Sequence, residues 1–261
     1  MDAAGPRLPI GQAQAAPYAG LAQVYDALLG ERFFARARGN FERLRRRFGL
    51  RPRSAADVAC GTGSFVRYLG RLGLRRLYGV DRSADMLRIA IIKNRGNGAR
   101  FLLQDFHRLR LPLAVDLITC NFDSLNYLLD AGDLLRALRR FHANLAPGGT
   151  LIFDMITRQQ PWGGGRPLVE RRVWPGGGFW RRMRMDSRSG LQESLVWVRL
   201  GGRTYRERHV QRAYPWPLVR LCLRRAGFAL LAAEDFYTHG EINGRTRRVL
   251  VAARKVGGAP A

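Results

Sequence analysis

With 261 residues and 46% hydrophobic side chains, the chain can bury the core of one α/β domain carrying an insertion, and no second independent domain is required. No run approaches the ~20 apolar residues of a membrane span, and the N-terminus lacks the charged-then-apolar plan of a signal peptide, so a cytoplasmic protein without a membrane partner is expected. Three widely spaced cysteines (Cys60, Cys120, Cys222) offer neither a disulfide framework nor a zinc site, and the net charge of +25 is almost all arginine, since only Lys93 and Lys255 are lysines. No nucleic-acid-binding motif accompanies that charge, which favours a solvated basic surface or an anionic small acceptor over a nucleic-acid partner.

Residues 1–17, rich in Ala, Gly, Pro and Gln, read as a disordered tail. From Tyr18 to Phe48, apolar and aromatic residues recur at helical spacing among arginines and predict two amphipathic helices. Strands and helices then alternate: strand 55–60, helix 64–72, strand 75–81, helix 83–94 with Ser83 as N-cap, and strand 99–104. Strand 115–121, helix 130–145, a turn at Pro147-Gly148-Gly149 and strand 150–156 follow. Residues 157–213 break the rhythm with glycine punctuation and alternating segments, predicting an antiparallel cap inserted after the fifth strand, with Trp162, Trp174, Trp180 and Trp197 as its core. Helix 215–226 and strands 228–236 and 246–254 return the chain to the main sheet. The fold class is thus α/β, with seven mostly parallel strands and helices on both faces. Residues 18–156 and 214–256 form the main domain and 157–213 the cap.

Ligands of such a sheet bind beyond the carboxyl ends of its strands, and that is where the candidate residues lie. Asp57-Val58-Ala59-Cys60-Gly61-Thr62-Gly63 runs from an apolar strand through a glycine turn into a helix, an arrangement that lays backbone N–H groups against a ligand. Val66 occupies the place of the third glycine of a dinucleotide fingerprint, which disfavours NAD. Asp81 closes the next strand where a carboxylate can accept from both hydroxyls of a ribose, and Asp105 closes the third where it can accept from an adenine amino group.

These pieces, together with Gly79-Val80-Asp81-Arg82-Ser83, Phe122-Asp123-Ser124-Leu125-Asn126-Tyr127-Leu128, Ile152-Phe153-Asp154-Met155 and Leu223-Arg224-Arg225-Ala226-Gly227-Phe228, resemble the class I S-adenosylmethionine-dependent methyltransferases over roughly residues 18–255. The resemblance implies a Rossmann-like domain with an N-terminal helical lid folded over S-adenosyl-L-methionine. It implies cofactor contacts from Tyr25, Asp57, Ala59, Gly61, Gly63, Asp81, Met86, Asp105, Phe106 and Asn121. Within the superfamily, the segments after the fourth strand and on the fifth are similar to small-molecule enzymes, including amino-sugar N,N-dimethyltransferases and, more distantly, glycine N-methyltransferase. Such enzymes transfer the methyl group directly and in line to N or O of the acceptor.

In-line methyl transfer needs mainly a dry, aligned acceptor, and a general base only where the nucleophile must lose a proton. Asp123, after the fourth strand, and His209, on the last cap strand, are the candidate catalytic residues; His107, His142 and His239 have weaker claims. Asp154 beside Asp123 raises a metal pair, but Met155 stands where a further oxygen ligand would be needed, so no metal is expected. The alternatives are an RNA- or protein-modifying methyltransferase using the arginine-rich surface, a non-catalytic nucleotide-binding module, and an NAD oxidoreductase. The intact Asp57, Asp81 and Asp105 set argues against the non-catalytic module, and the missing third glycine and the lack of any Tyr-x-x-x-Lys or metal-hydride arrangement argue against the oxidoreductase.

Overall fold

In the computed structural model, residues 14–159 and 167–257 are described. Seven strands form the main sheet: β1 (Ser54–Val58), β2 (Arg76–Asp81), β3 (Arg100–Leu103), β4 (Val115–Cys120), β5 (Leu145–Ile156), β10 (Phe228–Asp235) and β11 (Arg248–Lys255). Their order is β10-β11-β5-β4-β1-β2-β3; β5 to β3 run parallel, and β11 is antiparallel to both neighbours. All five residues of β1 are buried, as expected for a central parallel strand covered on both faces. The order reverses at β1 and β4, so the loops after these strands open a crevice at their carboxyl ends.

The long helix α1 (Glu31–Arg47) packs on one face with α2 (Ser64–Gly70), burying Phe41, Leu44, Phe65 and Leu69 against Ala55 and Leu117. The helices α4 (Ala131–Asn144) and α5 (Trp216–Arg225) cover the other face, with Phe141, Leu138 and Leu223 in the second half of the core. Between α2 and α4 in the chain lies α3 (Ala84–Lys93), capped by Ser83, whose hydroxyl accepts from the Met86 N–H at 3.3 Å.

Residues 18–48 depart from the two helices predicted. Only the second is an α-helix; the first is replaced by a 3-10 turn (Leu21–Val24) and a π-helical turn (Asp26–Gly30). Gly20 lies so close to the Tyr205 ring that a Cβ there would meet it at 2.4 Å, so tertiary contact overrides helical periodicity in this segment. The expected tail, 1–17, is described only from residue 14, and there Ala15 is ordered: it bridges to Glu207 and its N–H donates to the Arg206 carbonyl at 2.9 Å. The predicted Pro147-Gly148-Gly149 turn lies inside β5 as an irregularity, where the pairing with β4 jumps from Leu145 to Thr150.

A second, four-stranded antiparallel sheet occupies the stretch between β5 and α5: β6 (Leu168–Trp174), β7 (Gly177–Asp186), β8 (Leu191–Leu200) and β9 (Arg203–Arg212). Its core is Phe179, Val196 and Val198 with Leu21 of the N-terminal segment, and Trp174 packs against that cluster. Trp180 and Trp197 face each other across β7 and β8 at positions that alternate with Phe179, Val196 and Val198, so they lie on the opposite face and do not form the cap's core as expected. Trp162 lies outside the described residues.

Candidate active site

The glycine turn after β1 combines three left-handed residues, Ala59 (φ 57°), Gly61 (φ 53°) and Gly63 (φ 75°). The two glycines serve different ends. A Cβ on Gly61 would meet only Met86 Sδ, at 4.0 Å, so Gly61 leaves its face open to the crevice. A Cβ on Gly63 would lie 2.6 Å from Asn94 Nδ2 and 2.9 Å from Ala90 Cβ, so Gly63 lets α2 and α3 pack closely instead of lining the crevice.

The crevice is a cavity of about 900 Å³, its open mouth included, and of the residues predicted to hold a cofactor it brings together Tyr25, Asp57, Ala59, Gly61, Asp81, Met86, Asp105, Phe106 and Asn121. Asp57 accepts from Thr119 Oγ1 at 2.6 Å and, at 3.4 Å, from Asn121 Nδ2. Burial outweighs these bonds and pushes its carboxyl up to about 7. Asp81 accepts from the N–H of Gly61 and of Ser83, both at 2.8 Å, which ties the glycine turn to the end of β2. Each oxygen of that carboxylate keeps a further lone pair for a ligand hydroxyl. Asp105 accepts from the His107 N–H at 3.0 Å and lines the same cavity. The open face of Gly61 and the carboxylates at three strand ends fit a nucleoside carrying a cationic side chain.

One wall of this cavity belongs to the N-terminal segment. Asp26 accepts from Thr62 Oγ1 at 2.6 Å and pairs with Lys93 of α3, whose ammonium also donates to Thr62 Oγ1 at 3.0 Å and to Ser64 Oγ at 2.9 Å. Residues 18–30 are thereby fastened to the glycine turn.

A second cavity of about 890 Å³ lies beneath the inner face of β7, β8 and β9, and both Asp123 and His209 line it. Tyr18, Tyr25, Phe122 and Tyr127 line both cavities, so the two cavities adjoin at these four side chains. Burial holds the phenols of Tyr18, Tyr25 and Tyr127 protonated, above their ordinary range. Phe122 (φ 61°) and Asp123 (φ 49°) form a left-handed pair directly after β4. Asp154 restrains that strained turn, accepting from the Phe122 N–H at 2.7 Å and the Asp123 N–H at 3.0 Å.

Arg248, on β11, joins the two carboxylates: Nη1 donates to Asp154 Oδ2 at 2.5 Å and Nη2 to Asp123 Oδ1. Burial opposes its charge, but Asp123 and Asp154 win and raise the guanidinium above its usual value. Gln211 Nε2 donates to Asp123 Oδ2 at 2.5 Å. Asp123 therefore reaches the second cavity as an ion-paired carboxylate already serving as acceptor on both oxygens, an arrangement suited to shaping the wall more than to taking a proton. The two aspartates that suggested a metal are bridged by this guanidinium. His209 is buried, with Nδ1 2.8 Å from the Tyr127 hydroxyl and Nε2 3.0 Å from Glu207. His107, His142 and His239 line neither cavity; His142 lies against Phe228, and His239 Nε2 is 2.7 Å from Asn40 Oδ1.

Arg248, Glu207, Tyr18 and Tyr127 were not singled out in the sequence. Glu207 had a legible signal, because it shares strand parity with His209 and Gln211 and so must share their face.

An open parallel sheet, a glycine turn and successive carboxylates at its strand ends define a nucleotide-cofactor protein. Residues 55–149 match the family described as a methyltransferase domain. Over 150 residues, 56% of this chain, it is 32% identical to the dTDP-3-amino-3,6-dideoxy-alpha-D-glucopyranose N,N-dimethyltransferase of Streptomyces fradiae, spanning about half (55%) of that relative's length. Its fold matches an S-adenosylmethionine-dependent methyltransferase from Clostridium acetobutylicum with a TM-score of 0.77 at 24% identity, covering 92% of this chain and 99% of the other. It also matches the sugar N-methyltransferase KedS8 from Streptoalloteichus, with a TM-score of 0.72 at 22% identity and coverage of 98% and 100%. Residues 55–149 thus carry the pattern of a methyltransferase domain, and the chain resembles the S-adenosylmethionine-dependent methyltransferases, the small-molecule sugar N,N-dimethyltransferases among them.

Proposed function

We propose that this protein methylates a nitrogen or oxygen of a small, sugar-type acceptor held beneath the cap, with S-adenosylmethionine in the cavity at the strand ends. The observation that carries this reading is the shared lining: the two cavities adjoin at Tyr18, Tyr25, Phe122 and Tyr127, so two ligands seated in them would lie side by side at these residues. When bound, the cofactor supplies an electrophilic methyl group on a sulfonium. Asp81 and Asp105 serve the nucleoside, Asp57 offers its carboxylate to the cationic end, and the N-terminal segment excludes water, which strengthens polar contacts in the site. His209 and Tyr127 are the groups able to handle an acceptor proton, while Arg248 and Gln211 hold Asp123 in place.

An amine of a nucleotide-linked amino sugar is the favoured acceptor, because the Streptomyces fradiae relative is named for that chemistry and the chain's charge suits an anionic acceptor. The acceptor-side cavity is a cleft of about 890 Å³, its open mouth included, a size suited to a small molecule.

Calorimetry with S-adenosylhomocysteine and NAD, followed by mass spectrometry of dTDP-amino sugars incubated with protein and S-adenosylmethionine, tests the reading. Binding of the sulfur nucleoside alone and a 14 Da gain per turnover are expected, the mass being that of one CH₂ (about 14 Da) whose transfer such a site would carry out. Equal affinity for NAD, or methyl incorporation into RNA or protein but into no small acceptor, would overturn it.

A further inference from the structure

Glu207 is completely buried on β9, and among the described residues the donors that reach its carboxylate belong to the N-terminal segment and to His209. Its Oε1 accepts from the N–H of Gly20 at 2.8 Å and of Leu21 at 2.9 Å; its Oε2 accepts from the N–H of Tyr18 at 2.7 Å and lies 3.0 Å from His209 Nε2. Burial works against the charge, yet His209 and the three backbone donors hold the carboxyl below its usual range. Such a carboxylate only accepts, so a neutral His209 must carry its proton on Nε2. Nδ1 is then an acceptor, and the Tyr127 hydroxyl, 2.8 Å away, must donate to it. The Tyr127 oxygen is left to accept from Tyr18, whose hydroxyl lies 2.7 Å away.

From these contacts we infer that Glu207 is a positioning residue: one carboxylate latches residues 18–21 as the wall of both cavities and sets the direction of the Tyr18–Tyr127–His209 hydrogen-bond chain. Cofactor enclosure and the orientation of the acceptor-side histidine thus depend on the same group. The catalytic meaning of the inference rests on the methyltransferase reading, but the geometry can be tested without turnover.

The test uses the full-length, ligand-free protein labelled with ¹⁵N. Ring-nitrogen spectra report the His209 tautomer, assigned by the signals lost in His209→Gln, and hydrogen exchange is followed at the amides of residues 18, 20 and 21. In the native protein the ring is expected to carry its proton on Nε2 and the three amides to exchange slowly. Glu207→Gln has nearly the same shape but only one accepting atom, and its NH₂ group faces a set of donors. It should speed exchange at one or more of these amides by about 10-fold or more, the loss expected for a hydrogen bond to a charged group. It should also release His209 from the single tautomer. Tyr127→Phe, which spares Glu207, should keep the tautomer and the slow amides.

If Glu207→Gln leaves both exchange and tautomer unchanged, or if Tyr127→Phe changes the tautomer and Glu207→Gln does not, Glu207 does not have this role. Failure of the native protein to bind S-adenosylhomocysteine would overturn the functional reading instead, leaving the spectroscopic comparison intact.

Discussion

Replacing Arg248 with Met tests how the acceptor side is held together. The guanidinium is buried and donates to both Asp123 and Asp154, while Asp154 restrains the left-handed pair Phe122 and Asp123. A Met fills similar volume but leaves two carboxylates without their cation. Removing one partner of a buried ion pair costs about 3–5 kcal/mol. At about 2–4 °C per kcal/mol for a chain of this size, the thermal midpoint should fall by about 6–20 °C. The pH dependence is the sharper signature. Burial pushes the Asp154 carboxyl up, and the charge of Arg248 is the largest influence opposing it. Without Arg248 the Asp154 pKa rises further above its unfolded value, so the variant's Asp154 contributes stability only where it is protonated and loses it as pH rises. The deficit should therefore be largest near pH 8 and shrink toward pH 5.5. Differential scanning calorimetry of both proteins across that range measures it, with Arg248→Lys expected to recover part of the loss because it keeps the charge but not the two-armed reach. A loss under about 1 kcal/mol, or a deficit independent of pH, would refute the argument.

Asp57, held near 7 by burial, should ionise when a net cationic ligand binds, so S-adenosylmethionine affinity should rise with pH up to about 7 and then level off. Calorimetry in buffers of different ionisation enthalpy should detect proton release below that pH, and a flat affinity from pH 5.5 to 8 would contradict it. The same raised pKa contributes stability to the ligand-free protein that is complete below the ordinary aspartate range and lost as pH rises through about 7. Gly63→Ala should destabilise the fold by about 2 kcal/mol or more through overpacking against Ala90 and Asn94, whereas Gly61→Ala, whose Cβ meets open space, should weaken S-adenosylhomocysteine binding more than it lowers the melting temperature. If the arginine excess is a solvated surface, RNA binding measured by fluorescence anisotropy should be sequence-independent and fade by physiological salt. Sequence-selective binding that survives there would point to a dedicated nucleic-acid site.

The parallel half of the fold was legible because short, largely apolar segments such as β2 and β4 alternate with helical periods, and because a glycine turn follows β1. The cofactor carboxylates could be read by position, since strand ends in such a sheet converge on one crevice. The N-terminal segment could not, because its turns are shaped by partners far along the chain: Glu207 for residues 18–21, and Thr62 and Lys93 for Asp26. Arg248 gave no signal of its own, being one of three arginines in the run Arg245 to Arg248 of an arginine-rich chain. In β7 both parities carry an aromatic, Phe179 and Trp180, so hydropathy alone does not say which faces inward; the contact with Leu21 decides it.

The scarcity of lysine has a practical consequence. The two side-chain amines sit on two different seams: Lys93 joins the N-terminal segment to the glycine turn, and Lys255 donates to the carbonyls of His142 and Leu145 at 2.8 and 2.7 Å where β11 meets α4 and β5. Acylation of either amine competes with these hydrogen bonds. Timed acylation read by peptide mass thus becomes a two-channel clock, in which the Lys93 channel should slow when the cavity behind residues 18–30 is filled, and the Lys255 channel supplies the internal reference.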